Sequence, residues 1–482
     1  ITYAKGASIL KQLVAYVGIE PFKKGLRQYF EKHQWGNASF ADLLGSLEAA
    51  SGRELREFAD TWLASAGVSK LSAEVAVDDA GKYVSAAIVQ EAPAEHPTLR
   101  THRMAVGLYD FVDGVSRRRS DEFSVDGAGG VSLVRRRRVE LDVSGERTEI
   151  PQLVGEKRPD VLLLNDDDLT YCKLRLDDHS IANVVDNIAA FVDSLPRALS
   201  WAAAWDMLRD GEFAARDFVR LAVSGLPHER DINVVTMIHR QVGAALSYAD
   251  RQVVDSLRAS VASCARSTML GASPGGDMQR AWARLYAAHA RADDDVARLR
   301  GWLDGVDVPE GLSVDTDMRW HLVVCLSGVG AIDDAAIDAE LERDNTADGE
   351  RLSLIARAAI PAAEAKAEAW RRITEEPDLP NYARRSLMLG FAHPDQTDLL
   401  RPYVSRFLET VPSMWGRLAT EQALEFIRFG YPGGIVEQAT LDSTDDWLAD
   451  ESHSPAMKRG VLEGRDDVAR ALRARERDRR AA

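Results

Sequence analysis

The sequence predicts a mainly α-helical protein interrupted by a β-sandwich, and three observations carry that expectation. Apolar residues recur at helical spacing from the start to about Ser69; from Lys70 the period shortens to two; after Pro159 helical spacing returns and persists to the end. The expected divisions are 1–69, 70–158 and 159–482. A chain of 482 residues and 53.0 kDa exceeds one ordinary core, and about three domains fit its length.

The first division reads as four short helices. In "YAKGASILKQLVAYVG" the residues Ile9, Leu10, Leu13, Val14 and Val17 share one face, and Gly18 supplies a stop. Pro21 suits the first turn of a second helix with Phe22, Leu26, Tyr29 and Phe30 inward. Ser39, with Asp42 three residues on, has the pattern of a helix N-cap, and Gly52 ends that helix; Leu55, Phe58, Trp62 and Leu63 form the inward face of a fourth. Helices this short make a small core, so the segment is expected to pack against something larger.

In the second division "LSAEVAVD", "KYVSAAIVQ", "HRMAVGLYDFVDG" and "RRVELDVSG" have strand character, separated by the turn signals "DDAGK" and "VDGAGG". The run Arg135–Arg138 reads as a solvated edge strand, where charge discourages strand-to-strand pairing, rather than as an anion site. After "EKRPDVLLLNDDDLTY", stretches such as "SIANVVDNIAAFVDSL", "VVTMIHRQVGAALSYA" and "ARLRGWLDG" carry apolar stripes broken by polar, Gly or Pro residues. No strict repeat is visible, but many helices of similar length joined by short loops predict antiparallel pairs stacked into a curved superhelical array. The final "EGRDDVARALRARERDRRAA" is expected to be a charged helix fraying into solvent.

Composition excludes several function classes. Sixty Lys and Arg against 76 Asp and Glu leave a net charge of −16, which repels a phosphate backbone, so no nucleic-acid partner is expected. No apolar stretch approaches the roughly 18 residues of a membrane span. Cys172, Cys264 and Cys325 are far apart and form no CxxC, which fits a reducing cytoplasm better than a disulfide scaffold, and no histidine partner for them is evident. None of the ten histidines sits at the i, i+4 spacing that places two imidazoles around a metal; "HERDI" at His228–Ile232 has Ile232 where the second ligand would stand and reads as a surface loop. "NDDDL", Asn165–Leu169, reads as a helix N-cap rather than a cation loop. Neither GxSxG nor a phosphate loop is present, so residue chemistry alone supplies no self-sufficient active site.

The opening residues change that picture. "YAKGASIL", then "VGIEPFKKGLRQYFEKH", "NASFADLL" and "WLASAG", in this order and spacing, resemble the late part of the catalytic domain of zinc aminopeptidases of the aminopeptidase N family, gluzincin metallopeptidases. "LLLNDDDLTYCKLRLD", "DSLPRALSWAAAWDMLRDGE" and "DTDMRWHL" are similar to the family's C-terminal helical domain, in its actinobacterial form. The resemblance implies that 1–69 is the helical end of a thermolysin-like catalytic domain, that 70–158 is its β-sandwich and that 159–482 is a HEAT-like superhelical domain. It implies a catalytic role for Tyr3, the tyrosine of the family's Y-x-K-G element, whose hydroxyl stabilises the oxyanion of the tetrahedral intermediate.

The family's GxMEN motif, its HExxH helix and the further Glu ligand are absent here and would precede Ile1. A chain opening on isoleucine is therefore expected to lack an upstream segment with the amino-terminal and catalytic domains. Zinc is implied for the intact enzyme, with peptides as substrates, and none is expected to bind this chain, which alone is expected to be inactive. The alternative is a non-enzymatic helical-repeat module that binds peptides or proteins.

Overall fold

Gly18, at φ +89°, ends the first helix, α1 (Thr2–Val17), and turns the chain into α2 (Ile19–His33). α3 (Phe40–Ser51) starts on a full capping box: the Asp42 amide donates to Ser39 Oγ at 3.3 Å and the Ser39 amide to the Asp42 carboxylate at 2.8 Å. It stops at Gly52, φ +71°. After α4 (Arg56–Leu63), the buried Arg100 gives its guanidinium to the carbonyls of Thr61 and Ala66, satisfying the helix end. Ile9, Leu13, Val17, Leu44, Leu47, Phe58 and Trp62 make one small core. Leu10, Phe30 and Leu63, expected inward, are instead 48%, 63% and 48% exposed, because nothing in the described residues lies over that side of the helices.

The computed structural model describes residues 2–113 and 130–481, and by contacts divides into two units, Ile1–Met207 and Leu208–Ala482. The first unit continues into seven strands: β1 (Lys70–Val77), β2 (Tyr83–Glu91), β3 (His102–Asp113), β4 (Val131–Val143), β5 (Arg147–Glu149), β6 (Val161–Asp166) and β7 (Lys173–Arg175). They form a four-stranded sheet in the order β5-β2-β1-β7 and a three-stranded sheet in the order β4-β3-β6. All pairings are antiparallel except β1 with β7. The β1–β2 turn is the expected "DDAGK", with Gly81 at φ +72°. The expected "VDGAGG" turn spans 125–130, of which 125–129 lie outside the described residues.

Arg135–Arg138 do lie on an edge strand, but they are paired rather than merely solvated. Arg135 bonds Asp166 and Asp167, Arg136 bonds Asp110 and Glu156, Arg137 bonds Glu156, and Arg138 bonds Asp167 and Glu140. Two helices complete the unit, α5 (Asp178–Asn187), capped by Asp177, and α6 (Ser194–Arg209), in whose last turn the division falls.

The second unit is entirely helical among the described residues. It comprises α7 (Ala215–Gly225), α8 (Ile232–Tyr248), α9 (Val254–Gly271), α10 (Asp277–His289), α11 (Asp293–Leu303), α12 (Thr316–Gly328), α13 (Asp334–Arg343), α14 (Ala347–Ala359), α15 (Ala363–Glu375), α16 (Asn381–Phe391), the short α17 (Thr397–Leu400), α18 (Tyr403–Arg417), α19 (Thr420–Gly430), α20 (Gln438–Ala449) and α21 (Pro455–Arg480). Neighbours in sequence pack as pairs, and one row of helices stacks in the order α8, α10, α12, α14, α16, α19, α21. α21 then packs on α7 and α8, so the row closes on itself.

That closure corrects the expected fraying C-terminus. Val461, Val468, Ala471 and Ala474 are buried along α21, and Asp478, with no exposed side-chain surface, accepts from the Arg216 amide at 2.8 Å, the Asp250 amide at 2.9 Å and the Arg216 guanidinium. Each turn of the charged helix also carries small or apolar residues at i, i+3 and i+4 spacing. This stripe is narrow enough to be masked by arginines in the sequence.

Candidate functional site

Tyr3 stands in the first turn of α1 and is 94% exposed. The rest of the helix is held fast. Ile9, Leu13 and Val17 enter the small core, and the fully buried Gln12 accepts from the Tyr171 amide at 3.1 Å and from the Thr170 hydroxyl. Lys11 Nζ meets Asp168 Oδ2 at 2.8 Å. The helix that presents Tyr3 is thus docked by its next two turns onto the segment after β6.

That segment corrects a second expectation: "NDDDL" caps no helix. Asn165, Asp167 and Asp168 take φ values of +54°, +68° and +55°, a left-handed turn at the end of β6 that Asn and Asp tolerate best among non-glycine residues. Each carboxylate is committed. Buried Asp166 accepts from Tyr109 Oη at 2.8 Å and Arg135 at 2.7 Å, Asp167 from Arg135 and Arg138, and Asp168 from Lys11. Gly107 is required beneath them, since a Cβ there would stand 2.5 Å from Asp166 Oδ2. Burial, then the Asp166 charge, pushes the Tyr109 phenol well above its ordinary range.

Thr170 also lies 2.7 Å from Nδ1 of His102, whose Nε2 is 3.0 Å from Gln90 Oε1. Burial holds His102 down at about 3, so the ring is neutral; its one N–H faces Gln90 Oε1 on β2, and Nδ1 shares the single Thr170 hydroxyl hydrogen with Gln12 Oε1. A cavity of about 140 Å³ opens beside Lys11, Asp168, Cys172 and Asp206.

The second unit holds a larger cavity of about 970 Å³, lined from α8, α9, α10, α12, the loop after α16 and α21. Its lining is rich in arginine although the chain is acidic. Arg258 and Arg291 share Asp395 at 2.5 and 2.8 Å, and buried Arg475 has two backbone carbonyls as partners, Val436 and Ser247, at 2.9 and 2.8 Å. Burial keeps His239 at about 4, His289 at about 3 and His393 at about 4, all neutral near pH 7. Sequence reading missed this site, because its residues lie between 236 and 475 with no shared motif. It also missed a thiol–imidazole pair: Cys325 Sγ is 3.7 Å from His321 Nε2, one helical turn earlier on α12.

Among the described residues no group of three or more His, Cys, Asp or Glu side chains is placed to hold a metal ion. "HERDI" forms the turn before α8, where Asp231 caps the helix through the Asn233 amide. No described helix is long and apolar enough to cross a membrane.

Comparison with known proteins gives this arrangement a family. The ERAP1-like C-terminal domain matches residues 161–470 and the peptidase family M1 domain matches residues 1–62. Aminopeptidase N of Streptomyces lividans is 47% identical over 489 residues, across 100% of this chain. The chain belongs to the aminopeptidase N family. It spans 55% of the length of the Streptomyces aminopeptidase N. Shorter matches include aminopeptidase N of Lactococcus lactis subsp. lactis, 48% identical over 79 residues, 16% of this chain and 9% of that one, and aminopeptidase 2, mitochondrial, of Saccharomyces cerevisiae, 35% identical over 120 residues, 23% of this chain and 12% of that one. In aminopeptidase N terms, Tyr3 falls within the stretch matched by the peptidase domain, and the large cavity within the stretch matched by the C-terminal domain.

Proposed function

We propose that the chain is the C-terminal part of a zinc-dependent aminopeptidase that removes amino-terminal residues from peptides, and that Tyr3 is catalytic in the full-length protein. The observation that carries the reading is a fully presented tyrosine hydroxyl at the head of a helix whose following turns are locked by Gln12, Lys11 and the small core. Such a hydroxyl can donate to a scissile carbonyl oxygen and gains strength as that oxygen becomes negative. Zinc belongs to the full-length protein in this proposal, since the described residues gather no ligand set, and no step through the metal is assigned to them.

The three-part order, with the end of a catalytic domain, a β-sandwich and a helical domain, belongs to the same proposal, with β6 and β7 joining the sheets from beyond residue 158. Exposed Leu10, Ile19, Phe30, Trp35 and Leu63 on α1–α4 and their connections support it, because a catalytic domain would cover an apolar surface of this kind.

In the full-length enzyme, Tyr3→Phe is expected to lower kcat roughly 10²- to 10³-fold with little change in KM. A variant that keeps most of its kcat returns Tyr3 to an ordinary helix-start aromatic. The chain as given is expected to retain no stoichiometric zinc after dialysis and to leave amino-acid arylamides intact; one tightly held zinc with chelator-sensitive activity overturns that part.

A further inference from the structure

The three cysteines occupy different settings. Cys172 beside the small cavity is pushed far up by burial, and Cys264 on α9, which donates to the Val223 carbonyl at 3.5 Å, is also raised by burial. Cys325 lines the large cavity one turn after His321. His321 Nε2 lies 3.0 Å from the Arg284 carbonyl oxygen and 3.7 Å from Cys325 Sγ. A carbonyl oxygen can only accept, so Nε2 carries the hydrogen and gives it to the Arg284 carbonyl; the thiol cannot donate to that nitrogen, and at 3.7 Å Sγ is the longer, second acceptor of the same hydrogen.

The surroundings agree with that assignment. Burial alone would raise the Cys325 thiol, but the charge of His321 and the hydrogen bond to it, then Arg291 and Arg284, hold it below its ordinary value. Burial alone would lower His321, and the Cys325 pair instead holds it above its own. The cavity lining also holds buried polar atoms without a partner: Arg475 is 8% exposed with its Nε unpartnered, and His289 Nδ1 is buried and unpartnered.

We propose that Cys325 is a thiol-modification site whose reaction partner is a small anionic disulfide admitted to the arginine-lined cavity. The thiol loses its proton to solvent, and the thiolate, beside the protonated Nε2 of His321, attacks the nearer sulfur of the disulfide. A new bond forms from Sγ to that sulfur, the old S–S bond breaks, and the farther sulfur leaves as a thiolate with the bonding pair. Electrons and atoms balance without a further oxidant. Six arginines against three aspartates in the lining favour a carboxylate-bearing partner, and a cavity of about 970 Å³ is ample for one. His321 is a positioning residue, and the inference is independent of the peptidase reading.

The test uses the native chain with dithiobis-nitrobenzoate, a dianionic disulfide, and dithiodipyridine, a neutral one. At neutral pH one equivalent of the dianionic reagent is expected to react at least about tenfold faster than the remaining thiols, with peptide mass analysis placing the adduct on Cys325. Cys325→Ser, checked for an unchanged melting temperature, should abolish the fast phase, whereas Cys264→Ser and Cys172→Ser should keep it. His321→Asn should move the pH midpoint of labelling upward. The charged and titratable groups lining the cavity with it are His239 and Arg240 from α8, Arg251 after it, Asp255 and Arg258 from α9, Arg284 and His289 from α10, Arg291 after that helix, His393 and Asp395 after α16, Asp398 from α17 and Arg475 from α21. Arg291→Gln should lower the preference for the dianionic over the neutral reagent. A fast phase that survives Cys325→Ser, a first adduct on Cys264 or Cys172, or an unmoved midpoint in His321→Asn overturns the site. An unchanged reagent preference in Arg291→Gln overturns its anionic partner.

Discussion

The first four helices and the last one invert what their compositions suggest. α1–α4 carry broad apolar faces yet leave Leu10, Phe30 and Leu63 in solvent, while α21, dense in arginine and aspartate, buries Val461, Val468 and an unexposed Asp478. A helix face is buried only if a partner exists for it. α21 has one in α7, α8, α19 and α20, whereas the outer side of α1–α4 has none among the described residues.

The contrast breaks most decisively at α21. Asp478→Ala leaves the Arg216 guanidinium and the Asp250 amide without their acceptor, and loss of one member of a buried pair costs about 3–5 kcal/mol. Urea unfolding should show a loss of that order, and deletion of 455–482 should abolish cooperative melting of the helical unit. A change in Asp478→Ala below about 1 kcal/mol would mean that α21 is only loosely attached.

Acidification is the next largest effect. His239, His289 and His393 titrate at about 4, 3 and 4 in the folded chain against an ordinary 6.5, so below that value the unfolded state binds protons that the folded state refuses. Their stabilisation is complete above about pH 6.5 and is lost as pH falls toward 4. Melting temperature should drop by several degrees between pH 7 and 5, and His289→Phe should flatten the decline. An equal slope in the variant would remove His289 from the account.

A smaller effect is expected at the capping box. Ser39→Ala removes the acceptor for the Asp42 amide and should cost about 1 kcal/mol by chemical denaturation, a loss confined to the small core that α3 completes. The smallest is expected on the exposed face: Phe30→Ser should change the stability of this chain by less than about 0.5 kcal/mol. In the full-length protein, if a catalytic domain covers that face, the same substitution should cost about 2 kcal/mol. Equal effects in both would leave the exposed stripe without an occupant.

The sequence by itself determined the local structure and its order. The capping box at Ser39, the stops at Gly18 and Gly52 and the "DDAGK" turn are all written within a few residues of where they act, because caps and turns are satisfied by neighbours in the chain. The family was also legible, through ordered stretches from "YAKGASIL" to "DTDMRWHL". Tertiary structure decided what depends on partners far away in sequence. "NDDD" became a left-handed turn rather than a cap because Tyr109, Arg135, Arg138 and Lys11 converge on it. The charged tail became a buried helix because Arg216 and Asp250 offer its Asp478 their amides, more than two hundred residues away. The arginine-lined cavity and its thiol exist only where α8, α10, α12 and α21 meet, since no spacing along one chain encodes which faces a closed row of helices turns inward.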